Sequence, residues 1–288
     1  MKNIKTLVSD IYSLLSEKGE GWFTHELSKA LSEDITIRLR SSLGGERQKT
    51  SLRLSQMGPR CPRALWYSIH TPEKAEALPP WTDVKFAFGH VLEALAITLA
   101  KAAGHDVRGE QDEVVLDGVK GHRDCVIDGC VVDVKSASSP SFRKFKDGSL
   151  KDNDSFGYLD QLDGYVVASY GDPIVTVRDK GYLLAIDKQL GHMVLYEHDI
   201  REEHIKRRIK EYRRIVEQSS PPACTCEEVK HGSSGNLKLD TRASYSLYKH
   251  CCFPHLRTFL YADGPVHLSK VMRRPDVPEI DRFGNIVS

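Results

Sequence analysis

Residues Gly121 to Ser136 read GHRDCVIDGCVVDVKS, and the Asp128-Gly129 pair at their centre decides how the rest is read. Asp-Gly between two apolar runs is a strong signal for a two-residue hairpin turn, because both central residues must accept positive φ. That turn sets a register with Asp124 opposite Asp133 and Lys135 opposite His122. Side chains alternate between the faces of a strand. Cys125, Ile127, Cys130, Val132 and Val134 therefore form one apolar face made for a core, while Asp124, Asp133 and Lys135 share the other.

Two carboxylates facing each other across a ladder cost stability unless something neutralises them. A divalent cation does so, and hard oxygen ligands in an incomplete shell suit Mg²⁺, which leaves its other positions to water and phosphate. Lys135, on the same face, could hold an attacking water or counter the charge that grows on phosphorus. The alternative is a solvated hairpin whose polar face happens to read Asp, Asp, Lys.

Upstream, FAFGHVLEALAITLAKAA (Phe86 to Ala103) has strong helix formers, no Pro and Gly104 as a stop, so a largely buried helix is expected. Between Phe86 and Ala100 its only charged side chain is Glu93. A lone carboxylate in that setting needs a partner, either a metal on the neighbouring hairpin or an Arg. Downstream, SFGYLDQLDGYVVASY (Ser155 to Tyr170) reads as a second helix with Tyr158, Gln161 and Tyr165 on one side. Gln161 and Tyr165 could steady Lys135 or contact a phosphate.

The order Gly89-x-x-x-Glu93, Gly121-x-x-Asp124, Asp133-Val134-Lys135 and Gln161-x-x-x-Tyr165 resembles the PD-(D/E)XK nuclease superfamily, in its RecB-like and phage exonuclease branch. The resemblance covers about residues 55 to 275. It implies an α/β fold, a mixed sheet flanked by helices in a restriction-endonuclease-like core, with a helical N-terminal region and a cysteine-containing tail. It further implies Glu93, Asp124, Asp133 and the Val134 carbonyl around one or two Mg²⁺ or Mn²⁺ ions, with Lys135 assisting the nucleophilic water. Gln161 and Tyr165 would support the substrate. Many RecB-like members carry His where this chain has Glu93, whereas λ-exonuclease-like members carry Glu, and the subfamily stays open.

Seven cysteines, an odd number, argue for reduced thiols rather than a disulfide framework. Cys125 and Cys130 are accounted for as core. Cys61 in RCPRALWY, Cys224-x-Cys226 and Cys251-Cys252 are left. One Cys before the core and several after it resembles RecB-like nucleases whose ends are stapled by a [4Fe–4S] cluster. The tail YSLYKHCCFP resembles a family segment Y-C-x-Y-K-x-x-C-W-P, with Ser246 at one cysteine position, Cys252 at the other and Phe253 for Trp. Cys61, Cys224, Cys226 and Cys252 could total four ligands, for Fe–S or Zn²⁺. The alternative is an inherited tail whose cysteines now only pack.

The 288 residues, 40% hydrophobic, suffice for a real core, and the net charge of +1 is unremarkable. Local positive charge matters more for nucleic acid. REEHIKRRIKEYRR (Arg201 to Arg214) reads as a helix with Ile205, Ile209, Tyr212 and Val216 as its apolar stripe and Lys206, Arg207, Lys210 and Arg214 outward. Arg143, Lys144 and Lys146 form a second basic run. Both are candidate phosphate contacts, or else solvated faces. Gly44-Gly45 lacks the Lys-Ser/Thr of a phosphate-cradling loop. Strands are expected near Lys180 to Asp187 and His192 to His198 around Gly191, and a loop-rich tail from Pro221 with a mobile HGSSGN (His231 to Asn236).

The expected organisation is an N-terminal helical region (1–54, broken at Ser41 to Gly45), a nuclease core (55–220) and a cysteine-containing tail (221–288) packed on it. No apolar stretch is long enough to span a membrane, and the N-terminus, with its acidic residues, is unlike a signal or transit sequence. A cytoplasmic enzyme is therefore expected, in the host cytoplasm if phage-encoded. The expected function is a metal-dependent DNA exonuclease of phage or recombination and repair type, acting on a free end and working with a recombination or single-strand-binding partner. A structure-specific endonuclease on the same fold, and a non-catalytic nuclease-derived nucleic-acid-binding module, are the alternatives.

Overall fold

The computed structural model describes residues 2–17, 21–43 and 51–287. In chain order come helices α1 (Leu7–Ser16), α2 (His25–Leu43), α3 (Pro62–His70) and α4 (Trp81–Ala102). Five strands follow: β1 (Val107–Arg108), β2 (Glu113–Leu116), β3 (Val119–His122), β4 (Cys125–Ile127) and β5 (Cys130–Ala137). Next are α5 (Ser139–Lys146), α6 (Tyr158–Ala168), β6 (Lys180–Asp187), β7 (Met193–Asp199) and α7 (Glu202–Val216). The remainder holds β8 (Glu228–His231), β9 (Asn236–Leu239), α8 (Thr241–Ser244), α9 (Lys249–Cys252), β10 (Arg257–Tyr261), β11 (Gly264–Lys270) and β12 (Glu279–Ile280). The expected break at Ser41 to Gly45 coincides with the end of α2, and its Gly44 and Gly45 lie outside the described residues.

The chain forms two compact units, the first from residues 1–47, 53–57 and 79–207 and the second from 48–52, 58–78 and 208–288. The first is a mixed α/β layer structure. Its five-stranded sheet runs β1-β4-β5-β6-β7, with β5 and β6 parallel and the other neighbours antiparallel. Asp128 and Gly129 both take positive φ, 50° and 79°, and β4 pairs with β5 in the register that turn dictates, Cys125 opposite Val132 and Ile127 opposite Cys130. Cys125, Ile127, Cys130, Val132 and Val134 all enter the core, against Ile97 and Ala100 of α4 and Leu7 and Ile11 of α1. Each such buried aliphatic side chain contributes about 1.5–3 kcal/mol. Several such side chains together set the register, even though that register gathers mutually repelling acids on the other face.

That other face is covered by the segment between β5 and β6. Phe145 of α5 packs edge-on to Tyr196 of β7, with ring centroids 6.4 Å apart. Helix α6 lies close on β6, where any side chain at Gly181 would collide with Leu162. On its far side Asp163 accepts hydrogen bonds from His198 and from the backbone and guanidinium of Arg201, and Asp160 pairs with Arg201 and His204. These ties fix the rotation of α6 about its own axis.

Three expectations are corrected here. The β4–β5 ladder ends at Cys125, and His122 pairs with Glu113 in the separate β2–β3 hairpin rather than facing Lys135. Arg123 causes the turn-off: its side chain is fully buried among Asp112, Asp172 and Ser169, and its amide bonds to the Asp112 carbonyl. Helix α4 is buried only in its second half, since Trp81, Val84 and Phe88 are exposed while Ala94 to Ala100 meets the sheet. The tail is not simply loop-rich, because it builds a second five-stranded sheet, β12-β10-β11-β9-β8, in the second unit. HGSSGN is the β8–β9 hairpin turn. Its strands are short and half-polar, which hides them from a periodicity reading.

Candidate active site

Asp133 and Lys135 are adjacent outward positions on β5, and the turn brings Asp124 alongside. Asp124 accepts the Val134 amide at 2.7 Å, completing the pair that the shortened ladder leaves open. Lys135 Nζ stands 2.6 Å from Asp133 Oδ2. It donates to Gln161 Oε1 at 3.2 Å and lies 4.9 Å from the centre of the Tyr158 ring. Gln161 in turn donates to Tyr165 OH at 2.9 Å and to Asp133 Oδ1 at 3.4 Å. The 3.6-residue repeat of α6 thus brings Tyr158, Gln161 and Tyr165 together around one ammonium. Gly121 has a steric role in this arrangement: a Cβ there would lie 2.7 Å from the Tyr165 ring and 2.9 Å from Leu54.

Glu93 of α4 joins the group electrostatically. Its Oε1 accepts from Arg38 Nη1 at 2.5 Å and Gln111 Nε2 at 2.7 Å. Arg38, on α2, is buried and also binds Asp34 one turn back. Neither Arg38 nor Gln111 was expected at this site. The (i, i+4) pair Asp34-x-x-x-Arg38 hinted at an ordered arginine, but nothing local linked it to Glu93.

The electrostatics are those of a site with too many acids for its cations. Burial, then Asp133 and Glu93, push the Asp124 carboxyl well above its ordinary 3.8. Burial also raises Asp133 and Glu93, against the pull of Lys135 on the first and Arg38 on the second. Burial opposes the charge on Lys135 too, yet Asp133 and Asp124 hold its pKa above the ordinary lysine value, so it stays an ammonium at neutral pH. Asp133 Oδ2 is buried, and its close partner is the Lys135 ammonium. A divalent cation suits three buried carboxyls that raise one another around a single ammonium, so the residues fit the metal. The acids are nevertheless engaged by protein donors and not drawn together as tightly as the cysteines described next.

In the second unit the sulfurs of Cys61, Cys224, Cys226 and Cys252 all lie within 4.8 Å of one another; among the described residues this is the group of close metal-ligating side chains. Cys61 precedes α3, Cys224 and Cys226 lie in the loop before β8, and Cys252 ends α9. Cys251 stands outside the group. Of the basic residues, Arg143 and Lys146 are exposed on α5, while Lys144 reaches the Asn153 carbonyl at 3.2 Å. On α7, Ile205, Ile209 and Tyr212 are buried as read; Arg207, Lys210 and Arg214 are exposed, and Lys206 pairs with Glu202. Among the described residues no helix is long and apolar enough to cross a membrane.

No family model matches the chain, and no curated protein does. Among solved structures it is similar to SSO0001 (16% identity, covering 77% of this chain and 95% of that one, TM-score 0.41). It is also similar to an alkaline exonuclease, LHK-Exo, from Laribacter hongkongensis (14%, 64% and 90%, TM-score 0.40). A third is a phage-related exonuclease from Haemophilus somnus 129PT (13%, 75% and 92%, TM-score 0.34). Likeness at this level does not bear on activity.

Proposed function

We propose that the chain is a metal-dependent deoxyribonuclease of the PD-(D/E)XK type, cutting phosphodiester bonds at the β4–β5 hairpin. The observation that carries this reading is the Asp124–Asp133–Lys135 group on one sheet face, with raised carboxyls and a lysine locked between Asp133 and Gln161. A binding module has no need to bury an ammonium among acids and hold it from three sides.

Glu93, Asp124, Asp133 and the Val134 carbonyl would hold one or two Mg²⁺ or Mn²⁺ ions. Such an ion lowers the pKa of a bound water and stabilises the leaving oxygen. Lys135 acts as a donor rather than a base, because the acids around it keep it protonated. Its ammonium would orient the attacking water and counter the charge growing on the phosphate. Gln161 fixes the lysine against Asp133, and Tyr165 fixes Gln161. Arg38 pairs with Glu93 and offsets part of its charge. Arg143 and Lys146, exposed just beyond β5, are suited to the phosphate backbone.

Exonucleolytic action on a free DNA end is the preferred form, and it rests on the motif order of the chain. The test is digestion of end-labelled linear and covalently closed circular DNA, single- and double-stranded, with Mg²⁺, Mn²⁺ or EDTA. Loss of linear DNA alone, abolished by Asp133→Ala and Lys135→Ala, is the expected result. Cutting of circles would move the assignment to an endonuclease. Tight binding with no cleavage under either metal would overturn the enzymatic reading.

A further inference from the structure

Four thiolates can serve a single tetrahedral ion or a four-iron cluster, and the cysteine layout that resembles cluster-bearing nucleases leaves both open. The two differ in size. In a tetrahedral zinc site each sulfur lies about 2.3 Å from the centre, which makes every edge of the sulfur tetrahedron about 3.8 Å. In a cluster each thiolate sits outside its own iron, itself displaced from the centre, so every edge must be longer than in the single-ion case.

Here Cys61 Sγ is 3.8 Å from Cys224 Sγ and 3.7 Å from Cys252 Sγ, and no pair in the group exceeds 4.8 Å. Two edges therefore match the single-ion tetrahedron, and the cage leaves no room for four irons with their bridging sulfides. No disulfide joins the sulfurs, and all four cysteines are free.

The surrounding chain is built to present thiolates. The Cys226 amide points at Cys224 Sγ, 3.5 Å away. Cys61 stands at the N-cap of the nine-residue α3, where the helix dipole favours negative charge. Three segments distant in sequence are clamped around the sulfurs. Trp66 Nε1 donates to the Gln218 carbonyl at 2.8 Å, Arg63 Nε donates to the Pro222 carbonyl at 2.7 Å, and the Tyr67 and Tyr248 rings stack at 6.4 Å. All of these residues belong to the second unit.

We infer that Cys61, Cys224, Cys226 and Cys252 form a structural Zn²⁺ site that closes the second unit, rather than an iron–sulfur cluster. A closed four-thiolate shell leaves no position for substrate, so the ion ties α3, the Cys224–Cys226 loop and α9 together without taking part in cleavage. The inference stands apart from the nuclease reading, and its test does not use activity.

The full chain is purified anaerobically from cells supplied with both iron and zinc, and its metals are counted by mass spectrometry alongside its visible spectrum. The expected result is about one zinc per chain in colourless protein, with tetrahedral tetrathiolate d–d bands on exchange into Co²⁺. Cys224→Ser and Cys226→Ser should lose most of the zinc, and Cys251→Ser should keep it. Should the ligand variants fail to fold, stepwise mercurial titration of the wild type should release zinc as four thiols react. Brown protein with about four irons and matching sulfide per chain, or metal-free protein whose four thiols titrate freely, would overturn the assignment.

Discussion

The acidic hairpin and the cysteine cluster are both built from few residues, but by opposite routes. Asp133 and Lys135 share a face of β5 by period-two alternation, and the same hairpin turn brings Asp124, just beyond the last ladder pair, alongside them. The cysteines come from three segments, with Cys61 and Cys252 separated by 191 positions and yet 3.7 Å apart. A locally encoded site survives changes elsewhere, since its geometry comes from a strand. A site assembled at long range depends on every clamp that holds its segments, and in turn holds them. The hairpin should therefore fail in chemistry while keeping its fold, and the cluster should fail in fold.

The largest expected effect is on chemistry alone. Lys135→Ala and Asp133→Asn should each lower cleavage about a thousandfold or more; Asp133→Asn, which keeps the side-chain shape and removes a buried charge, should do so with little change in unfolding temperature, and a large loss of stability in that variant would erase the contrast. Next is the cluster. Removing the Zn²⁺ inferred for it, or Cys226, should lower the melting temperature by roughly 10 °C, as loss of several kcal/mol does for a chain of this size. Calorimetry with and without a strong chelator reads it.

Arg38 then probes the joint between α2 and the acids. Arg38→Ala leaves Glu93 largely buried without its cation and should cost about 3 kcal/mol in urea unfolding with EDTA present. Part of that loss should return on adding Mg²⁺; a variant indifferent to the ion would separate Glu93 from the metal site.

The smallest effect is a pH dependence in the second unit. Burial, with Lys249 and His250 nearby, pushes His267 down from 6.5 to about 4. Between those values the unfolded chain binds a proton that the folded chain refuses, so stability is present above about pH 6.5 and falls as pH drops towards 4. After allowance for partial exposure the loss is about 2 kcal/mol. His267→Gln should flatten it, and an unchanged slope would assign the dependence to other groups.

How much was legible follows the same divide. The Asp-Gly turn, the core face from Cys125 to Val134, the β6–β7 pair and the face of α6 carrying Gln161 and Tyr165 could all be read, because each depends on a repeat of two or 3.6 residues. Arg123 turned the chain away from the extrapolated ladder, and its burial among acids from two other segments left no periodic trace. The exposure of Trp81, Val84 and Phe88 was equally hidden, because composition marks a helix as apolar without saying where its neighbours end.

Sequence by itself determined the hairpin, its register and the identity of the acids and lysine that share its outer face. Stereochemistry at two turn residues and alternation along a strand suffice for that, and neither needs a partner. Tertiary structure alone decided that Arg38 pairs with Glu93 and that four sulfurs close to within 4.8 Å. Those are distances between segments. Packing of whole elements sets them, and no local rule of the chain carries that information.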